Sequence, residues 1–124
     1  MVNTERVYWE LLNNEIRKVT VDPDARVTTL STRFRTIQNE LKFSSVTWSD
    51  NLELMTGCLL NYVQEITPDN VTENIKERFR EVFNEDYSFE DLQEEGQSLF
   101  KIVCERNQAE FLILAGKMKI CIWF

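Results

Sequence analysis

The chain has 124 residues, of which 43% are hydrophobic and 28% charged, the composition of an ordinary soluble globular protein. It contains three Gly, two Pro and no His, and its net charge is −7. Without His it lacks the commonest general base and the commonest metal ligand, and its acidity disfavours broad binding to phosphate backbones.

Sheet and barrel folds use Gly and Pro in their many turns. Their scarcity therefore predicts an all-α fold: one domain over residues 1–124 with five to six helices, packed as an antiparallel bundle or a short stack of helical hairpins. The first helix is expected from Thr4 to Val19, where Val7, Tyr8, Leu11, Leu12, Ile16 and Val19 recur at three- and four-residue steps. Asp22-Pro23 reads as an N-cap followed by a first-turn proline, opening the second helix. Its stripe is Val27, Leu30, Phe34, Ile37 and Leu41, a heptad rhythm too short for a coiled coil. The outer face of that helix carries Arg26, Arg33, Arg35 and Lys42 and is the basic element of the chain.

A polar loop over Ser44 to Asp50 leads to a third helix ending near Ile66, with Gly57 inside it at a close helix approach. Thr67-Pro68-Asp69 repeats the cap-then-Pro signal and starts a fourth helix ending near Phe83. Ser88-Phe89-Glu90-Asp91 resembles a capping box for a fifth, with Leu92, Leu99, Phe100 and Val103 on its stripe. Acidic residues cluster around its start: Glu85, Asp86, Glu90, Asp91, Glu94 and Glu95. Ala109 to Ala115 reads as a last buried helix that Gly116 caps. The tail from Lys117 to Phe124 partly alternates, as a strand would, and could equally continue the helix.

The charge is uneven along the chain. Residues 1–62 have seven basic and eight acidic residues, and residues 63–124 have seven and thirteen. No P-loop, GxGxxG or GxSxG is present, and triads that need His are excluded. The expected protein is not an enzyme and needs no metal or cofactor. Cys58, Cys104 and Cys121 are widely spaced and odd in number, which suits free thiols in a reducing compartment, cytosolic or nuclear. No apolar run is long enough to span a bilayer, and the sequon Asn70-Val71-Thr72 follows no secretory leader.

Three surfaces are candidates for partner binding: the basic set Arg26, Arg33, Arg35 and Lys42, the acidic cluster 85–95, and the apolar tail ending in Trp123 and Phe124. The basic set suits an acidic protein or, against the overall field, RNA; DNA and membranes are not expected. The two charged patches could also meet, within one molecule or between copies as a homodimer.

Leu60-Asn61-Tyr62-Val63, Thr67-Pro68, Phe79 to Asn84, and Phe111 with Ala115-Gly116-Lys117-Met118 together resemble the opening of a MIF4G domain, the helical-repeat middle domain of the initiation factor eIF4G. That resemblance covers about half the chain and implies a translation or mRNA adaptor built of helical hairpins. From the residues alone, the expected function is a non-enzymatic interaction module. The alternative is a small helical-bundle regulator of apoptotic or immune signalling that takes a partner helix in a groove.

Overall fold

The computed structural model describes residues 6–67, 71–82, 89–105 and 109–122. It is built mainly of antiparallel strands: β1 (Arg6–Tyr8), β2 (Glu15–Asp22), β3 (Val27–Phe34), β4 (Ile37–Ser44), β5 (Trp48–Ser49), β6 (Leu60–Ile66), β7 (Ser98–Cys104), β8 (Glu110–Ala115) and β9 (Lys117–Ile122). The described residues also form two helices, α1 (Glu73–Val82) and α2 (Phe89–Glu94), and a 3-10 turn at Leu52–Met55. The all-α expectation, whether bundle or hairpin stack, is wrong. Among the described residues, α-helix occurs only within the fourth and fifth expected segments. Residues 60–63 and 111–115, which carry part of the MIF4G resemblance, are strands.

The local chemistry explains the error. At Asp22-Pro23 the capping interaction exists, but it closes a turn: Ala25 N–H donates to Asp22 Oδ1 at 3.1 Å and the chain returns as β3. Asn13, Arg26, Arg35 and Ser45 all adopt positive φ, so the turns form at non-glycine positions. A count of Gly therefore undercounts the turns. The run Val27-Thr28-Thr29-Leu30-Ser31-Thr32 is rich in β-branched residues, which favour strands. Gly57 lies in a turn at φ +90°, not inside a helix.

The strands form a five-stranded sheet in the order β1-β6-β7-β8-β5 and a four-stranded sheet in the order β2-β3-β4-β9. In the four-stranded sheet, residues alternate between buried and solvent-facing. Val19, Leu30, Leu41 and Ile120 stand opposite one another on the inner face, and Phe43 stands beside Met118. This face packs on the five-stranded sheet, where Leu60, Val63, Phe100, Ile102 and Ile113 complete the same core. Phe43 and Phe100 meet across the sheets with ring centroids 5.4 Å apart, in a tilted arrangement.

The other face of the five-stranded sheet is also apolar. Ile66, Leu99, Leu112 and Leu114 form a second core with Ile75 of α1 and Leu92 of α2. Fully burying a side chain of this size contributes about 1.5–3 kcal/mol. The order of layers is thus four-stranded sheet, five-stranded sheet, helices. α1 starts with Thr72 Oγ1 accepting the Ile75 N–H at 3.3 Å. It is tied down by Arg78, which pairs with Asp50, while the same Asp50 Oδ2 accepts the Leu112 N–H at 2.7 Å. No helix among the described residues is long and apolar enough to cross a membrane.

Two corners join the sheets. The segments 37–49 and 110–122 run antiparallel to one another on both sides of a bend, with Ser44 opposite Lys117 and Trp48 opposite Leu114. At the bend Gly116 N–H donates to Ser44 C=O at 3.0 Å and Thr47 N–H to Leu114 C=O at 2.9 Å. At the second corner Ile16 N–H donates to Cys58 C=O and Leu60 N–H to Asn14 C=O. Gly116 is the tight point: a Cβ there would stand 3.0 Å from Ser45 Cβ and 3.4 Å from the Gly96 carbonyl oxygen. Gly116→Ala is expected to cost about 1–3 kcal/mol in urea denaturation. Adding Ser45→Gly should recover most of that loss, because it removes the clashing atom and relieves the positive φ at residue 45.

Candidate functional site

The outer face of the four-stranded sheet gathers six exposed cations. Its cross-strand rows follow from register. Thr20, Thr29, Lys42 and Lys119 form one row, Lys18, Ser31, Glu40 and Cys121 the next, and Glu15, Arg33 and Gln38 the third. Arg17 is set outward by a one-residue bulge in β2, and Lys117 stands opposite Ser44. Arg17, Lys18, Arg33, Lys42, Lys117 and Lys119 are all solvent-exposed, against Glu15 and Glu40 on the same face.

Lys42 and Lys119 are direct cross-strand neighbours, and neither has an ion-pair partner among the described residues. Like charges placed opposite one another oppose sheet formation. Near the bulge a cavity of about 470 Å³ opens on this face, lined by Arg17, Ser31, Arg33, Gln38, Glu40 and the buried Thr32 and Asn39. Arg33 is held in place by its Nε–H, which donates to the Arg35 carbonyl at 2.7 Å. Arg17 pairs with Glu15 at 3.0 Å. Beneath, Asn14 Oδ1 accepts from Thr32 Oγ1 at 3.2 Å and from Asn39 Nδ2 at 2.8 Å, all three residues being buried.

The expected basic set is only partly brought together. Arg33 and Lys42 share this face. Arg26 sits in the β2–β3 turn, its Nε–H donating to Val46 C=O, and Arg35 sits in the β3–β4 turn with its guanidinium over the Phe34 ring. The helix meant to align all four does not exist. Arg17, Lys18, Lys117 and Lys119 take the missing places. Their signal was the alternation of Lys117-Met118-Lys119 and Ile16-Arg17, readable as strands.

Of the acidic cluster, Glu90, Asp91 and Glu94 belong to α2, and Glu95 follows it. These residues lie on the helix side of the five-stranded sheet, away from the basic face, so the two patches do not meet within one molecule. Glu85 and Asp86 lie outside the described residues, as do Trp123 and Phe124. Before them, Ile120 packs against the core and Ile122 is partly exposed on β9.

Cys58, Cys104 and Cys121 are free thiols. Burial, with the adjoining Cys58 thiol adding to it, pushes the Cys104 thiol up to about 12. A thiol kept protonated is a poor nucleophile. No group of three or more His, Cys, Asp or Glu side chains able to hold a metal occurs among the described residues. No family model matches the chain, and no match was found among curated proteins or solved structures.

Asn14→Ala removes the shared acceptor of Thr32 and Asn39 beneath the face, and is expected to cost about 2–3 kcal/mol in chemical denaturation. For Cys104 the folded thiol titrates near 12 and the unfolded one near 9.0. The unfolded chain loses this proton first, so stability falls as pH rises from about 9 towards 12. Cys104→Ala should flatten that alkaline decline when unfolding free energy is measured against pH.

Proposed function

We propose that this protein is a non-catalytic interaction module that docks an acidic segment of a protein partner on the outer face of its four-stranded sheet. The observation that carries this reading is the Lys42–Lys119 neighbour pair, flanked by further cations, on a chain whose net charge is −7. A sheet bears the repulsion of facing like charges at a loss in stability, and a bound carboxylate removes it. On an acidic molecule the same patch orients an incoming acidic partner towards one face and repels it elsewhere.

Single-stranded nucleic acid uses aromatic platforms for its bases as well as cations for its backbone. The described rows of this face hold Thr, Ser, Gln, Cys, Lys, Arg and Glu, with no aromatic ring among them. An acidic polypeptide therefore suits the face better than RNA. A groove between bundled helices is not available in this architecture, so the helix-groove regulator is set aside. We place the module in a reducing compartment, cytosolic or nuclear, on its three free cysteines.

The test is fluorescence anisotropy with two labelled probes, an Asp/Glu-rich decapeptide and a single-stranded RNA decamer, at low and moderate salt. The peptide is expected to bind, to weaken as salt rises, and to lose about tenfold or more in affinity with Lys42→Glu plus Lys119→Glu. Tighter binding of RNA than of peptide, or peptide affinity indifferent to that double substitution, would reject the reading.

A further inference from the structure

Among the described residues, strand β2 has an open edge. Its first residues are covered, because Ile16 N–H donates to Cys58 C=O and Ile16 C=O accepts the Gly57 N–H. Beyond the bulge at Arg17, residues 18–22 bond to β3 on one side and, among the described residues, to nothing on the other. In an antiparallel ladder a residue directs its N–H and C=O to the same side, and successive residues alternate. Ile16 directs both away from β3. Counting past the one-residue bulge, Val19 and Val21 do the same, so their four backbone groups line the open edge. Val21 is 57% exposed.

The five residues of this edge are complementary to themselves. Lys18-Val19-Thr20-Val21-Asp22, laid antiparallel on a second copy about Thr20, sets Lys18 against Asp22 and Val19 against Val21, with Thr20 against itself. Each of those is a favourable cross-strand pair. Register and hydrogen bonding agree: Val19 and Val21, which direct their groups outward, become the bonded pairs, and Thr20 the non-bonded pair at the centre. Asp22 Oδ1 already accepts the Ala25 N–H, which leaves Oδ2 for the lysine. The bulge at one end and Pro23 at the other limit the pairing to this stretch.

We propose that two copies of this chain associate through β2, antiparallel and centred on Thr20, joining their four-stranded sheets into one. The contact is isologous and closes at a dimer. It places the two basic faces side by side on one continuous surface. It does not rest on the acidic-segment reading: the backbone groups it uses lie on the strand edge, and of the cations of the basic face it shares only Lys18.

Sedimentation equilibrium of the full chain over a wide concentration range tests this. A reversible species of about twice the 14.7 kDa chain mass is expected. Val19→Pro removes an edge donor that β3 does not use, and should weaken association by about tenfold or more while the circular dichroism spectrum is unchanged. Lys18→Glu, which sets a carboxylate against Asp22 twice in the dimer, should weaken it without any backbone change. Thr20→Cys should form a covalent dimer under mild oxidation well above the level of the parent chain, because a central non-bonded pair brings the two Cα atoms to about 4.5 Å. A chain that stays monomeric at all concentrations would overturn the proposal. So would a dimer unaffected by Lys18→Glu and not captured by Thr20→Cys.

Discussion

Phe43 on one sheet and Phe100 on the other meet with ring centroids 5.4 Å apart, and the layered arrangement is organised around that contact. The five-stranded sheet must satisfy two apolar interfaces at once. Phe100, Ile102 and Ile113 face the four-stranded sheet, while Leu99, Leu112 and Leu114 face the helices. Strands buried on both faces read as continuous apolar runs. Leu112-Ile113-Leu114 is such a run, and it contains no periodicity that distinguishes strand from helix. The four-stranded sheet has only one apolar face, which leaves its other face free to carry charge.

That freedom sets the electrical character of the molecule. The cations of β2, β3, β4 and β9 collect on one outer surface, and the acids of α2 lie on the opposite side of the five-stranded sheet. A chain with a strong negative balance thus has one surface of the opposite sign. The sequence-level view of an acidic second half and a nearly neutral first half gave no hint of this, because β9, from the acidic half, contributes Lys117 and Lys119 to a surface otherwise made by the first half.

Some of this was visible in the sequence and some was hidden for specific reasons. Asp22 is expected as a helix N-cap and instead accepts the Ala25 N–H in a hairpin turn; the same Asp-Pro pair opens a helix or a turn, and nothing local decides which. Helix was expected where α1 lies, and Ile75 of its stripe is buried. The second expected helix failed because Val27, Leu30, Phe34, Ile37 and Leu41 imitate a heptad across two strands and a turn. Thr28 and Thr32 fill inner-face positions of β3, and a count of apolar residues alone passes over them. Of the basic set, Arg33 and Lys42 were placed on a common surface for the wrong geometric reason. Arg26 and Arg35 were separated by turns that form without glycine. The open edge of β2 could not be seen until the strand existed.

The bent ribbon has a consequence for how the chain reaches this state. Ser44 and Lys117 are 73 positions apart, yet they face each other at the bend between the sheets. Hairpin β2–β3–β4 closes through short turns and forms from local contacts. The ribbon closes only after a long segment has been drawn in, which carries a large loop-closure entropy. Topologies dominated by such distant pairings fold over roughly milliseconds to seconds. During that interval β4 is itself an unprotected edge, with Leu41 and Phe43 on its apolar face. Synthesis runs from β4 to β9, so β4 waits as an open edge until β9 has been made.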